Sequence, residues 1–199
     1  MNDTRNDSTA VPASRPAERV RRGIGPRGRV VVVMGVSGCG KSTVAEHLAG
    51  RLAGDFLDGD SLHPAANIAK MSCGEPLDDQ DRGPWLEAVR DATAERAARH
   101  GVNVVACSSL KRRYRDILRG AGEVAFVFLD GSRELIAARM HERRGHFMPE
   151  TLLDSQFAAL ERPDGEPGVV VVPIEADPAT IAANAAEALA GLYREFPSE

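Results

Sequence analysis

Cysteine is scarce in this chain. Only Cys39, Cys73 and Cys107 occur among 199 residues, an odd number with no CxxC pair. That argues against a disulfide framework and a cysteine-based zinc site, and it predicts a reducing, cytoplasmic setting. Long apolar runs are also missing. The longest, such as residues 30–34, are strand-sized, far short of the ~20 residues that cross a membrane. The N-terminus has no apolar h-region, so no secretory signal is expected. Basic charge is not in excess either: Lys and Arg number 25 against 29 Asp and Glu, a net charge of -4. A nucleic-acid binder usually carries a basic stripe, and the balance here argues against one. No internal repeat is evident, and the length suits one domain around a single core.

Residues 1–28 are rich in Arg, Pro, Ser, Asp and Gly and nearly free of large apolar side chains. Such a segment buries too little surface to offset its ordering entropy, and it reads as a disordered tail. A basic cluster (Arg19, Arg21, Arg22, Arg27, Arg29) lies there, as a solvated arm or a tether. Residues 29–199 alternate strand and helix signals. Strands are expected at 30–34, 56–58, 102–107, 124–129 and 169–172. Helices are expected from Lys41, from a cap at Asp81 to about His100, over 114–119, 132–143 and 151–161, and over 178–193. Trp85, Val89 and Ala92 are expected on the inner face of the long helix, and Gly101 at its end. Five strands interleaved with helices predict an α/β fold, a parallel sheet covered by helices on both faces.

Gly35-Val36-Ser37-Gly38-Cys39-Gly40-Lys41-Ser42 matches GxxxxGK[ST]. A chance match in a chain this long has a probability of roughly 1% or less. Here a β-branched run precedes the motif, and a helical pattern with Val44, Leu48 and Leu52 on one face follows. Glycines let successive N–H groups converge on phosphate oxygens, and the helix adds its positive end. Lys41 is expected on the β and γ phosphates and the Ser42 hydroxyl on Mg2+, with Thr43 next in the cradle. The motif defines an ATP or related nucleotide site, not a reaction.

Asp58-Gly59-Asp60 ends the second predicted strand. The third strand, over 102–107, does not end in the acid usual for P-loop proteins. Asp58 is therefore the candidate for the metal's water shell. Asp60 is the candidate to accept a hydrogen bond, and the proton, from a substrate hydroxyl. A plain turn is the alternative. Arg139, Arg143 and Arg144 share one helical face or its end before Gly145-His146-Phe147 breaks the helix. They are candidates for a mobile cationic lid over the transferring phosphate, the alternative being a solvated helix end. No NKxD guanine motif occurs, which disfavours a GTPase.

These blocks resemble the gluconokinase family of the shikimate-kinase-like group. The resemblance is carried by the phosphate loop and by Phe56-Leu57-Asp58-Gly59-Asp60-Ser61-Leu62-His63-Pro64. It continues through Asn67-Ile68-Ala69-Lys70-Met71, Asp81-Arg82-Gly83-Pro84-Trp85-Leu86, Ser108-Ser109-Leu110-Lys111 and Arg144-Gly145-His146-Phe147, then Ser155-Gln156-Phe157. It spans about residues 30–190. It implies a three-layer P-loop kinase with a helical lid near 139–150 and a substrate-binding insert near 60–90. It also implies Mg-ATP as phosphate donor, D-gluconate as the partner phosphorylated at its 6-hydroxyl, and a homodimer without nucleic-acid or membrane partners. A kinase for shikimate or a related sugar acid, or a nucleotide-dependent switch, are the alternatives.

Within that resemblance Arg82 is expected to hold the substrate carboxylate or the transferring phosphate, unless it forms a salt bridge within its helix. His63 is expected on a substrate hydroxyl or as a helix cap. Lys111 is expected at the substrate edge or on the surface. His146 and Gln156 are expected to line the site. Two residues depart from the family pattern: Cys39 stands where Ser is usual, and Ser109 where Ala is usual, which would place a hydroxyl near the substrate edge. Cys107 and Trp85 are expected to be packing residues.

Overall fold

The computed structural model describes residues 28–142 and 150–195. Five parallel strands, β1 (Arg29–Met34), β2 (Asp55–Asp58), β3 (Val102–Ala106), β4 (Glu123–Asp130) and β5 (Val169–Pro173), form one sheet in the order β2-β3-β1-β4-β5. Helices α1 (Lys41–Leu52), α2 (Ala65–Ser72), α3 (Asp79–His100), α4 (Arg112–Arg119), α5 (Arg133–Glu142), α6 (Glu150–Ala159) and α7 (Pro178–Glu195) connect them. The valine run of β1 is central because it can be buried on both sides. Val31 and Val33 face α1 and α7 through Val44, Leu48, Ile181 and Leu189. Val30, Val32 and Met34 face α3 and α4 through Trp85, Leu86, Val89 and Leu118. All five side chains from Val30 to Met34 are at most 1% exposed. Each contributes roughly 1.5–3 kcal/mol by leaving water. The period-2 alternation of a strand thus builds two cores from one continuous run.

Several boundaries differ from the sequence expectation, for local reasons. Asp78, not Asp81, caps α3. Its Oδ1 accepts from the N–H groups of Gln80 (2.8 Å) and Asp81 (2.9 Å), while the Asp81 carboxylate accepts from Asp78 N–H at 3.0 Å. This reciprocal capping box satisfies N–H groups the first turn would leave open. The inner face of α3 is Trp85, Leu86, Val89, Thr93 and Ala97; Ala92 is only half-buried. Ser132 lies outside α5, accepting from Leu135 N–H at 3.2 Å. A 3₁₀ turn (Gly59–Leu62) and α2 were not anticipated. Arg29, the last of the basic cluster, opens β1: its Nε is 2.7 Å from Glu123 Oε1, and its guanidinium lies over the Tyr193 ring. Of the expected tail, 1–28, residues 1–27 lie outside the described residues.

Candidate active site

The turn from β1 into α1 is shaped by backbone freedom. Gly40 sits at φ 96°, ψ 18°, a left-handed conformation that strains other residues. No side chain caps α1, and no acid lies in its first turn. The helix therefore keeps its positive end and first N–H groups free of a side-chain cap. Lys41 curls back and donates from Nζ to the Val36 carbonyl at 3.0 Å. Ser37 N–H donates to Gln156 Oε1 at 2.6 Å, which places α6 directly over the loop. Cys39 is fully buried, and burial pushes its thiol pKa up.

The acidic strand tip lies beside this loop. β2 does not touch β1; β3 separates them, with Asp58 and Val33 both level with Ala106. The N-terminus of α1 overhangs that gap, and Ser42 Oγ donates to Asp58 Oδ2 at 3.0 Å. The other oxygen, Asp58 Oδ1, accepts from Asp60 N–H at 3.0 Å. Gly59 is required between them, because a Cβ there would stand 2.6 Å from the Ala106 carbonyl oxygen. The Asp60 side chain is 72% exposed and projects into a cleft of about 540 Å³.

Lys41 and Ser37 line the cleft. His63, Arg82, Lys111 and Gln156 also line it, so four of the five expected substrate contacts besides Asp60 share a single cavity. His146 and Arg143 lie outside the described residues. Arg139 points elsewhere: its Nη2 donates to the Ile174 carbonyl at 2.5 Å, on the loop between β5 and α7.

His63 is the C-cap residue of the 3₁₀ turn, its backbone N–H donating to the Asp60 carbonyl at 3.3 Å. Its ring stacks on Trp85 at 4.1 Å, and its Nε2 is 3.9 Å from Asp60 Oδ1. Burial, helped by the Arg82 charge and opposed by Asp60, lowers its pKa. Trp85 is a core residue, as expected, but it also props the site by donating from Nε1 to the Gly59 carbonyl at 2.8 Å. Arg82 donates from Nε to the Leu77 carbonyl at 3.4 Å, and its guanidinium lies 5.9 Å from the Tyr114 ring centre.

Sequence reasoning missed the wall built around Asp79. This first residue of α3 binds Tyr114 Oη, Lys111 Nζ at 3.0 Å and the Arg113 guanidinium. Lys111 is thus an anchored cation, not a loose surface lysine. The Tyr114 hydroxyl, then Lys111 and Arg113, hold the Asp79 carboxyl down at about 2. Burial and the adjacent anion push the Tyr114 phenol up to about 12. No local pattern pointed to Asp79, whose partners lie on α4 and at its N-cap, Lys111.

Ser109 is a further correction. It is fully buried, at φ +44°, and does not line the cleft. Its Oγ has no hydrogen-bond acceptor or donor of normal geometry, and the neighbouring group is the buried Cys107 thiol, itself pushed up to about 11 by burial. The surrounding loop is held from behind. Arg115, 0% exposed, donates from Nη1 to the carbonyls of Ser109 (3.0 Å) and Leu110 (3.1 Å), and it pairs with Glu166.

A parallel sheet with a glycine-built anion cradle, and acids at a neighbouring strand tip, defines a P-loop kinase. Comparison with known proteins agrees. The family described as an AAA domain matches residues 30–163. The chain is 48% identical over 164 residues to a thermosensitive gluconokinase of Escherichia coli (strain K12), covering 81% of this chain and 88% of that protein. It is 47% identical over 178 residues to a gluconokinase of Gluconobacter oxydans (strain 621H), covering 88% and 96%. The crystal structure of a gluconokinase from Sinorhizobium meliloti 1021 superposes with a TM-score of 0.75 at 49% identity, covering 87% of this chain and 95% of that one. The chain belongs to the gluconokinase family.

Proposed function

We propose that the protein transfers the γ-phosphate of ATP to the 6-hydroxyl of D-gluconate, giving 6-phosphogluconate and ADP. The observation that carries this reading is the cleft that joins Lys41 to Asp60, Arg82 and Lys111 in one cavity. Gluconate has one carboxylate and five hydroxyls, so its site needs cations and paired polar contacts. Arg82 and Lys111 supply the cations for the carboxylate, and His63 and Gln156 face hydroxyls. Asp60 accepts the hydrogen bond of the attacking hydroxyl. As that oxygen bonds to the γ-phosphorus and the bridging oxygen departs with ADP, the proton passes to Asp60.

The backbone of residues 35–43 cradles the phosphates, and Lys41 moves from the Val36 carbonyl onto the β and γ oxygens. The Gln156 oxygen on Ser37 N–H stands where a phosphate oxygen would bind, so nucleotide entry frees that side chain toward the acceptor. Ser42 and Asp58 fit Mg2+: they are hard oxygen groups in contact. When bound, Mg2+ neutralises charge on the β and γ phosphates. Arg143 and His146 are assigned to a lid over about 139–150, whose first residue, Arg139, is held on the Ile174 carbonyl, and about 60–90 is assigned to the substrate-binding insert. The protein is assigned to the cytoplasm as a homodimer as part of this reading.

A coupled assay with Mg-ATP across sugar acids, polyols, shikimate and nucleoside monophosphates tests this. Gluconate should be the preferred acceptor. Lys41→Ala should abolish turnover. Asp60→Ala should lower kcat by about 10²–10⁴ with ATP affinity retained. Full activity in the Asp60 variant removes that carboxylate from the mechanism, and preference for another acceptor overturns the substrate assignment.

A further inference from the structure

Asn67 on α2 is buried, 4% exposed, and does not line the cleft. Its side-chain nitrogen Nδ2 meets two groups: it donates to the Asp81 carbonyl at 2.9 Å and lies 3.3 Å from His63 Nδ1. A carbonyl oxygen only accepts, so the amide nitrogen and not the amide oxygen must face Asp81. The second hydrogen of the same NH₂ group then points at His63 Nδ1, which must carry the lone pair. A neutral imidazole has one N–H, and here it is left on Nε2. That nitrogen is the one facing Asp60 Oδ1. Turning the ring over about its Cβ–Cγ bond would set a C–H against the Asn67 amide and lose both polar contacts. The stack on Trp85, with 15° between the planes, holds the ring in place, and Trp85 is itself tied to the Gly59 carbonyl.

We propose that Asn67 is a positioning residue that locks His63 as its Nε2–H tautomer, so that a fixed donor stands beside the Asp60 carboxylate in the acceptor cleft. This rests on the kinase reading above. With a hydrogen on Nε2, His63 cannot take the acceptor's proton. The corner therefore divides its roles: Asp60 accepts from the reacting hydroxyl, and His63 donates to an oxygen of the same acceptor. Such a pair selects polyhydroxylated acceptors, because a deoxy analogue leaves a buried donor unpaired. Burial lowers the His63 pKa, which favours the neutral ring this arrangement requires.

The test is a long-range ¹H–¹⁵N correlation on the full chain with ¹⁵N-labelled histidine, His63 being assigned by its loss in His63→Gln. The expected spectrum of the unmodified protein has Nε2 protonated and Nδ1 bare. Asn67→Asp replaces the donor by an acceptor and should put a proton on Nδ1. Its KM for gluconate should rise about tenfold, the value of one neutral hydrogen bond, with KM for ATP unchanged. Asn67→Ala, which introduces no new charge, should shift Nδ1 to an intermediate value with a smaller change in the same direction. A protonated, neutral-form Nδ1 in the unmodified protein overturns the proposal. So does a His63 signal unmoved in both variants, or a shifted tautomer with unaltered gluconate KM. A lock that behaves as expected in a protein that does not phosphorylate gluconate upholds the Asn67–His63 assignment and instead removes the reaction assigned above.

Discussion

Glu166→Ala would show how far the acceptor cleft depends on an ion pair outside it. Arg115 is 0% exposed and Glu166 10% exposed, and the pair is doubly bonded, with Arg115 Nε at 3.0 Å from Glu166 Oε2. Removing one member of a buried pair leaves an uncompensated charge and costs about 3–5 kcal/mol. Arg115 keeps the Ser109 and Leu110 carbonyls, so the lower end, about 3 kcal/mol, is expected. For a chain of this size each kcal/mol moves Tm by about 2–4 °C, so thermal unfolding followed by circular dichroism should show a fall of about 6–12 °C. The Arg115 guanidinium holds the Glu166 carboxyl below its ordinary value of 4.5, with Arg119 adding to the effect. A lowered folded pKa means the pair's stabilisation is complete above the ordinary value of 4.5 and is lost as pH falls through the folded pKa. The Tm gap between the two proteins should therefore be full at pH 7 and close on acidification below about 4.5. The same residues carry the loop of Ser108 and Lys111, so KM for gluconate should rise as well. Arg115→Met with Glu166→Leu should recover much of the stability, since an apolar pair carries no desolvated charge. A Tm within about 2 °C of the parent at pH 7, with unchanged KM, would refute the reasoning.

Two further outcomes follow from buried or anchored groups. Ser109→Gly removes a left-handed strain of about 1–2 kcal/mol and a buried hydroxyl, against about 0.5–1 kcal/mol of added chain entropy. Denaturant titration should show a net gain of about 1 kcal/mol, and a loss of stability would show that the hydroxyl is bonded after all. Asp79→Asn takes away the anion that helps hold the Tyr114 phenol at about 12. Tyrosinate absorbance should then show one group titrating at lower pH while Tyr193, held at about 12 by burial, stays put. Gluconate KM should rise as Lys111 and Arg113 lose their anchor; two unchanged phenols would exclude the Asp79 contact.

The phosphate cradle was legible because its chemistry lies in consecutive residues: glycine backbone freedom, a lysine, a hydroxyl and a helix start need no distant partner. The β1 valine run announced a strand buried on both faces for the same reason. Asp58 and Asp60 were readable as the end of an apolar stretch, and the Asp78 cap was missed by three residues because Asp78, Asp79 and Asp81 all suit the start of a helix.

What the chain order could not reveal is which side chains meet. Ser37 and Gln156 are 119 positions apart, Asp79 and Tyr114 are 35 apart, and Trp85 reaches back 26 to Gly59. The strand order β2-β3-β1-β4-β5 sets these encounters by bringing the tips of β1, β2 and β3 level and laying α3 and α4 against one sheet face. The sequence alone determined that this protein grips a nucleotide. The tertiary structure decided what lines the cleft beside Lys41 and how Lys111 is anchored there, because such contacts depend on neighbours through space and not along the chain.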